Sequence, residues 1–155
     1  MAFETTIAFE LARQELTDFV LAVAPPHYPT YNAPNTFDAL CVRYAVSGIS
    51  ETRPLPVWSG ACENTIYTSP EGNYAFRAWH DLTHLRLGAD FSRDGEFAAA
   101  WQHQREAYLA GLSRAARQLL WIDTWGQFEY GLTHDGAFVE NQLEFAWEKF
   151  CALQD

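Results

Sequence analysis

His80 and His84 stand four residues apart in the segment Trp79-His80-Asp81-Leu82-Thr83-His84. On an α-helix that spacing sends both imidazoles out of one face, one turn apart, where they can close on a single divalent ion. Asp81, beside the first histidine, points about 100° round the helix. It is near enough to supply a ligand oxygen, bridge to a bound water, or hydrogen-bond to a ligand. Its place is that of the glutamate in H-E-x-x-H, with a shorter reach. Gly88 ends this helical pattern and a new helix start follows, which would bring Glu96, in the next first turn, back towards the two histidines. Two imidazoles with one or two carboxylates leave positions open for water or substrate, as a catalytic ion needs. The expected ligands are His80, His84, Glu96 and Asp81, with Asp81 as ligand or proton carrier. Zinc is the first choice of metal, and iron and manganese are the alternatives.

Other side chains fall around this group by helical periodicity. Asn73, Arg77, His80 and His84 form one polar stripe on an otherwise aromatic helix. Arg77 has two readings, a bidentate clamp on an anionic substrate group or a salt bridge to Asp81 at i+4. Asp123 and Gln127 are four apart at the end of the very apolar run Leu119-Leu120-Trp121-Ile122. Polar groups there need partners, and they are expected to support the metal ligands from a facing helix or to form a capped surface pair. His103 lies seven residues after Glu96, roughly 10 Å along the same helix, and reads as a substrate-side or surface residue. His27 and His134 sit beside Pro and Gly in expected loops, exposed and without a role. The six tryptophans read as core, or as the wall of a pocket. There is no G-x-x-x-x-G-K-[ST], no G-x-G-x-x-G and no G-x-S-x-G, so phosphate loops and a serine nucleophile elbow have no support.

The string His80-Asp81-Leu82-Thr83-His84, eleven residues, then Glu96 resembles the H-D-x-x-H-(x)11-E motif of a family of ubiquinone-biosynthesis proteins. The likeness covers residues 80–96. It implies an α-helical fold carrying a divalent metal, usually zinc, on His80, Asp81, His84 and Glu96, with an association to a lipid-quinone precursor and oxidative decarboxylation of its ring. The string Phe76-Arg77-Ala78-Trp79-His80-Asp81 is also similar to small uncharacterised phage proteins.

The elements that must position these residues are helical. Apolar residues from Phe3 to Val23 recur at helical spacing until Pro25-Pro26. A loop rich in Pro, Tyr and Asn leads to a second helix from about Thr36 to Ser47, stopped by Gly48. Residues 49–68 read as a long loop with at most a short strand or hairpin. Ser69-Pro70-Glu71 starts the helix of the two histidines, since Ser caps, Pro suits the first turn and Glu complements the dipole. Ser92 to Asp94 starts the next, which breaks at Gly111 to Ser113. A further helix spans Arg114 to about Leu132, and after the turn His134-Asp135-Gly136 a last amphipathic segment runs from Phe138 to Leu153. The expectation is all-α, a single bundle-like domain of about six helices over residues 1–155.

Composition bounds what such a domain does. The 155 residues, 48% hydrophobic and 19% charged, describe a chain with a packed core. Ten basic against twenty acidic residues give a net charge of −10, which argues against broad binding to nucleic-acid backbones. Nine of the ten cations are Arg, a bias towards specific ion pairs. Cys41, Cys62 and Cys151 are odd in number and in no C-x-x-C spacing, so a reducing, cytoplasmic setting is expected and a thiolate metal site is not. No apolar run spans a bilayer and no signal peptide is expected. The leading functional expectation is a metal-dependent enzyme with a small-molecule substrate and hydrolytic, decarboxylating or oxidative chemistry. The alternative is a compact acidic interaction or inhibitor protein of phage type that occupies a basic host partner, its metal absent or structural.

Overall fold

In the computed structural model, which describes residues 2–44 and 48–154, the helix punctuation of the sequence is where the chain turns. The order is α1 (Ala2–Val23), β1 (His27–Thr30), α2 (Phe37–Tyr44), β2 (Leu55–Trp58), α3 (Pro70–Leu87), α4 (Arg93–Leu109), α5 (Arg114–Trp121), a π-helical segment (Ile122–Gly126), α6 (Gln127–Thr133) and α7 (Gln142–Ala152). The π segment continues α5 into α6 without a break, so residues 114–133 form one rod and the domain is all-α with six helices among the described residues. A π turn of this kind, one residue wider than α, re-aims the side chains that follow it.

Ser69 accepts a hydrogen bond from the Gly72 N–H (3.1 Å) with Pro70 as first helical residue, and Gly88 ends α3 in the left-handed region at φ +62°. Ser92 and Ser113 cap α4 and α5 in the same way. One helix end is corrected and one lies beyond the described residues. Phe138 to Asn141 precede α7 rather than belong to it, with the Asn141 side chain as cap. The second helix reaches Tyr44, and its expected last residues 45–47 lie outside the described residues.

α1 packs on α3 and α5, and the three bury Leu16, Val20, Trp79, Leu119 and Leu120 with Phe150 from α7. A smaller core of Leu40, Tyr44, Leu55, Val57 and Ala78 lies under the strands. α3 joins both, since Ala75 and Trp79 enter the first and Ala78 the second. β1 and β2 pair in parallel, from His27 opposite Leu55 to Thr30 opposite Trp58. The pair replaces the loop expected around His27, which lies on β1, half-buried, with Nδ1 2.7 Å from the Pro25 carbonyl. Pro29 and Pro56 lack N–H donors, which hides the strands from a propensity reading and keeps the sheet to two short members.

Candidate metal centre

Two glycines set the corner between α3 and α4. The left-handed Gly88 lets the Ala89 N–H bond the His84 carbonyl (3.1 Å), so the chain folds back over the last turn of α3. At Gly95 a side chain is impossible without movement, because a Cβ would meet the Asp90 carbonyl oxygen at 1.8 Å. This close approach places the first turn of α4, and with it Glu96, against the end of α3.

His84 is fully buried, and its Nδ1 lies 2.8 Å from the Ala89 carbonyl oxygen. A carbonyl only accepts, so the proton sits on Nδ1 and the Nε2 lone pair points the other way. There it meets His80 Nε2 at 3.1 Å. Glu96 Oε2 stands 3.3 Å from His80 Nε2 and 3.5 Å from His84 Nε2. With metal–ligand bonds of about 2.0–2.1 Å, the edge of a tetrahedron is about 3.3–3.4 Å. The triangle of 3.1, 3.3 and 3.5 Å therefore fits one face of a tetrahedral ion. His80, His84 and Glu96 could hold a metal ion.

The partner of the remaining imidazole nitrogen completes the arrangement. For His80 to present Nε2 to an ion its proton must occupy Nδ1, and His103 Nε2 is there to accept it at 3.0 Å. His103 is itself fully buried, against the Trp79 ring at 3.9 Å between centroids, and its Nδ1 has no partner among the described residues. Phe76 stacks on His80 and Phe91 meets His84 edge-on, so both rings are clamped.

Burial by itself would raise Glu96, but hydrogen bonds from His80 and His84 outweigh it and hold the carboxyl well below the usual range. Burial would lower His80, yet the Glu96 carboxylate at its side carries it above the usual imidazole value. His103 is pushed well down by burial and by the two imidazoles. Asp81 is raised to about 6 by burial, with the imidazoles acting against the rise. Asp123 is likewise raised to about 6 by burial, although it accepts bonds from the Tyr67 hydroxyl (2.9 Å) and the Gln127 amide (2.7 Å).

These groups stand around a cavity of about 670 Å³. Its polar end is His80, Asp81, Glu96, Asp123 and Gln127, and its walls include Phe76, Phe91, Phe128, Leu132 and Phe138. The volume suits a small molecule.

The placement agrees with the sequence for the spacing of His80, His84 and Glu96, and for Asp123 with Gln127 on a facing helix. Asp81 lines the cavity beside the three-ligand group and is not one of its members. Three expectations are corrected. His103 is not on the surface, since the adjacent α3 covers it. Arg77 neither faces the cavity nor pairs with Asp81, because its guanidinium donates to the carbonyls of Trp58, Gly60 (2.7 Å) and Ala61 (3.2 Å) and lies over the Trp58 ring. Asn73 is buried away from the cavity, its Nδ2 without a partner among the described residues. The stripe splits because α3 touches β2 and its following loop on one side and α4 on the other. Tyr67 was missed, and a tyrosine two residues before a helix cap carries no signal for it. The three cysteines are free, half-buried and outside the ligand group.

No helix among the described residues is long and apolar enough to cross a membrane. No protein-family model, no curated protein and no solved structure matches the chain.

Proposed function

We propose that the protein is a metal-dependent enzyme whose ion, zinc by preference, is held by His80, His84 and Glu96 at the polar end of an apolar cavity. The observation that carries this reading is the triangle of ligand atoms with edges of 3.1–3.5 Å beside an open cavity. A closed structural site would surround the ion with four protein ligands, whereas three leave a position for water or substrate. The likeness of residues 80–96 to the H-D-x-x-H-(x)11-E motif supports these three ligands and adds Asp81 to them.

A bound ion polarises a substrate oxygen or brings the pKa of a bound water to about 7. Asp81, half-buried on the cavity wall beside the ligand group, takes or delivers the proton. Asp123, fixed by Tyr67 and Gln127, offers a second carboxyl from the opposite wall and orients a polar substrate group. The aromatic walls hold the apolar remainder and exclude water. Hydrolysis and decarboxylation both use these parts, and iron in the same ligands would add oxidation of a ring with dioxygen as the electron acceptor.

The test is cobalt substitution followed by a turnover screen of esters, amides and aryl carboxylic acids with zinc, iron and manganese forms. The reading expects tetrahedral cobalt absorption that a substrate or competitive inhibitor perturbs, and turnover abolished in Asp81→Asn with the metal retained. A cobalt spectrum of closed coordination that no compound in the screen alters would reject the enzyme reading in favour of a structural ion.

A further inference from the structure

On the side of α4 facing α5 lies a second recess, of about 550 Å³, lined by Trp101, Gln104, Arg105, Tyr108, Arg117 and Trp121. The α4 members follow i, i+3, i+4 and i+7 and the α5 members i, i+4, so each helix gives the groove one continuous face. Gln104 donates to the Arg117 carbonyl (2.9 Å) and ties the two helices together along its floor.

Three features set it apart from ordinary surface. Trp101 is 56% and Tyr108 65% exposed, although large rings at such positions of a monomer usually turn inward. Trp101 and Trp121 stand edge to face at 5.6 Å, and Phe97 meets both rings edge-on at 6.3 Å, so the indoles form one aromatic cluster. The chain carries a net charge of −10, yet no carboxylate lines the groove and neither Arg105 nor Arg117 has an acidic partner among the described residues. The nearest acid on α4, Glu106, is committed to the Trp79 indole and to Gln102. The Arg117 guanidinium instead lies over the Tyr108 ring at 5.2 Å, and its buried Nε has no acceptor.

We infer that this groove is a binding site for a small planar aromatic anion, an aryl carboxylate, sulfonate or phosphate, separate from the metal centre. The ring of the ligand lies among Trp101, Tyr108 and Trp121, and its charged group meets Arg105 and Arg117, which are the fork-shaped donors that match such oxyanions. Two guanidinium groups without acids in an acidic protein give the charge preference. Clustered rings and a volume of small-molecule size give the preference for a flat ligand.

The experiment follows the six tryptophan indole N–H signals by NMR, each assigned by a Trp→Phe variant, during titration with naphthalene-2-sulfonate. Its neutral isostere naphthalene-2-sulfonamide and plain sulfate serve as comparisons. The sulfonate is expected to shift the Trp101 and Trp121 signals saturably and to bind at least about tenfold more tightly than the sulfonamide. A similar loss is expected in Arg117→Gln, and also in Arg105→Gln, which lies on the exposed side and keeps the fold should Arg117→Gln disturb it. Equal binding of sulfonate and sulfonamide would overturn the inference. So would movement confined to Trp125 beside the other cavity, or signals of Trp101 and Trp121 that broaden with protein concentration alone because a second copy covers them.

Discussion

The Nδ1 of His84 stands 2.8 Å from the carbonyl oxygen of Ala89, and this contact decides which nitrogen of His84 faces His80 and Glu96. It exists because α3 ends one residue earlier, at a glycine whose left-handed backbone turns the chain over the last turn of the helix. The helix terminus thus sets the tautomer of a ligand.

The two glycines of this corner should respond differently. Gly88→Ala meets no atom within 4 Å and suffers only its backbone angle, at about 1–2 kcal/mol, so melting falls by a few degrees and metal is kept. Gly95→Ala forces a Cβ onto the Asp90 carbonyl and must open the corner. Calorimetric metal titration should show Glu96 displaced and zinc affinity reduced at least about tenfold. Equal affinity in both variants would contradict the role given to the corner.

His103→Phe fills the buried volume but removes the acceptor for the His80 Nδ1 proton. Zinc affinity is expected to drop about 10–100-fold with the fold retained by circular dichroism, and His103→Gln, which keeps an acceptor, to recover part of it. Unchanged affinity in His103→Phe would mean that His80 needs no such partner.

Arg77→Met tests the opposite assignment. Loss of three bonds to the carbonyls of Trp58, Gly60 and Ala61 should destabilise the protein by about 3 kcal/mol, while metal content stays as in the wild type. Metal loss in a folded Arg77→Met protein would return Arg77 to the centre.

Stability of the metal-free protein should fall as pH rises towards 8. Asp123 and Asp81 titrate at about 6 when folded against 3.8 unfolded. The folded state therefore holds protons that the unfolded chain has released, and stability drops between about pH 4 and 6. His80 is raised above 6.5, so its contribution is complete below that value and is lost as pH climbs through the folded one. Glu96 acts the other way, its stabilisation present above 4.5 and lost on acidification, and so does His103, held neutral by burial, which costs stability as pH falls below 6.5. Melting followed in chelator should peak at about pH 4.5–5, and Asp123→Asn should flatten the descent, since its ionisation costs about 3 kcal/mol. A melting temperature that climbs steadily to pH 8 would contradict these assignments.

The candidate centre was legible because its residues obey local rules. His80 and His84 share a face by helical period, and Ser69, Gly88 and Ser92 mark where one helix ends and the next begins. Period fixes direction from one helix axis, but it does not say what stands in that direction. Asn73 and Arg77 therefore seemed to share the surroundings of His80, although Asn73 is buried away from the cavity and Arg77 is held by the end of a strand and its loop. His103 seemed remote from Glu96 along α4, yet its distance to His80 is set by the approach of two helices. The π segment, which carries Asp123, has no local signature in Ile122-Asp123-Thr124-Trp125-Gly126.

The most direct test of the central claim is metal content by mass spectrometry on protein purified without chelator or affinity-tag metal, for wild type, His84→Ala and Glu96→Ala. The expected result is close to one ion per wild-type chain, lost in both variants while circular dichroism shows the fold kept. A wild-type protein that stays empty after reconstitution with zinc, iron and manganese would contradict it.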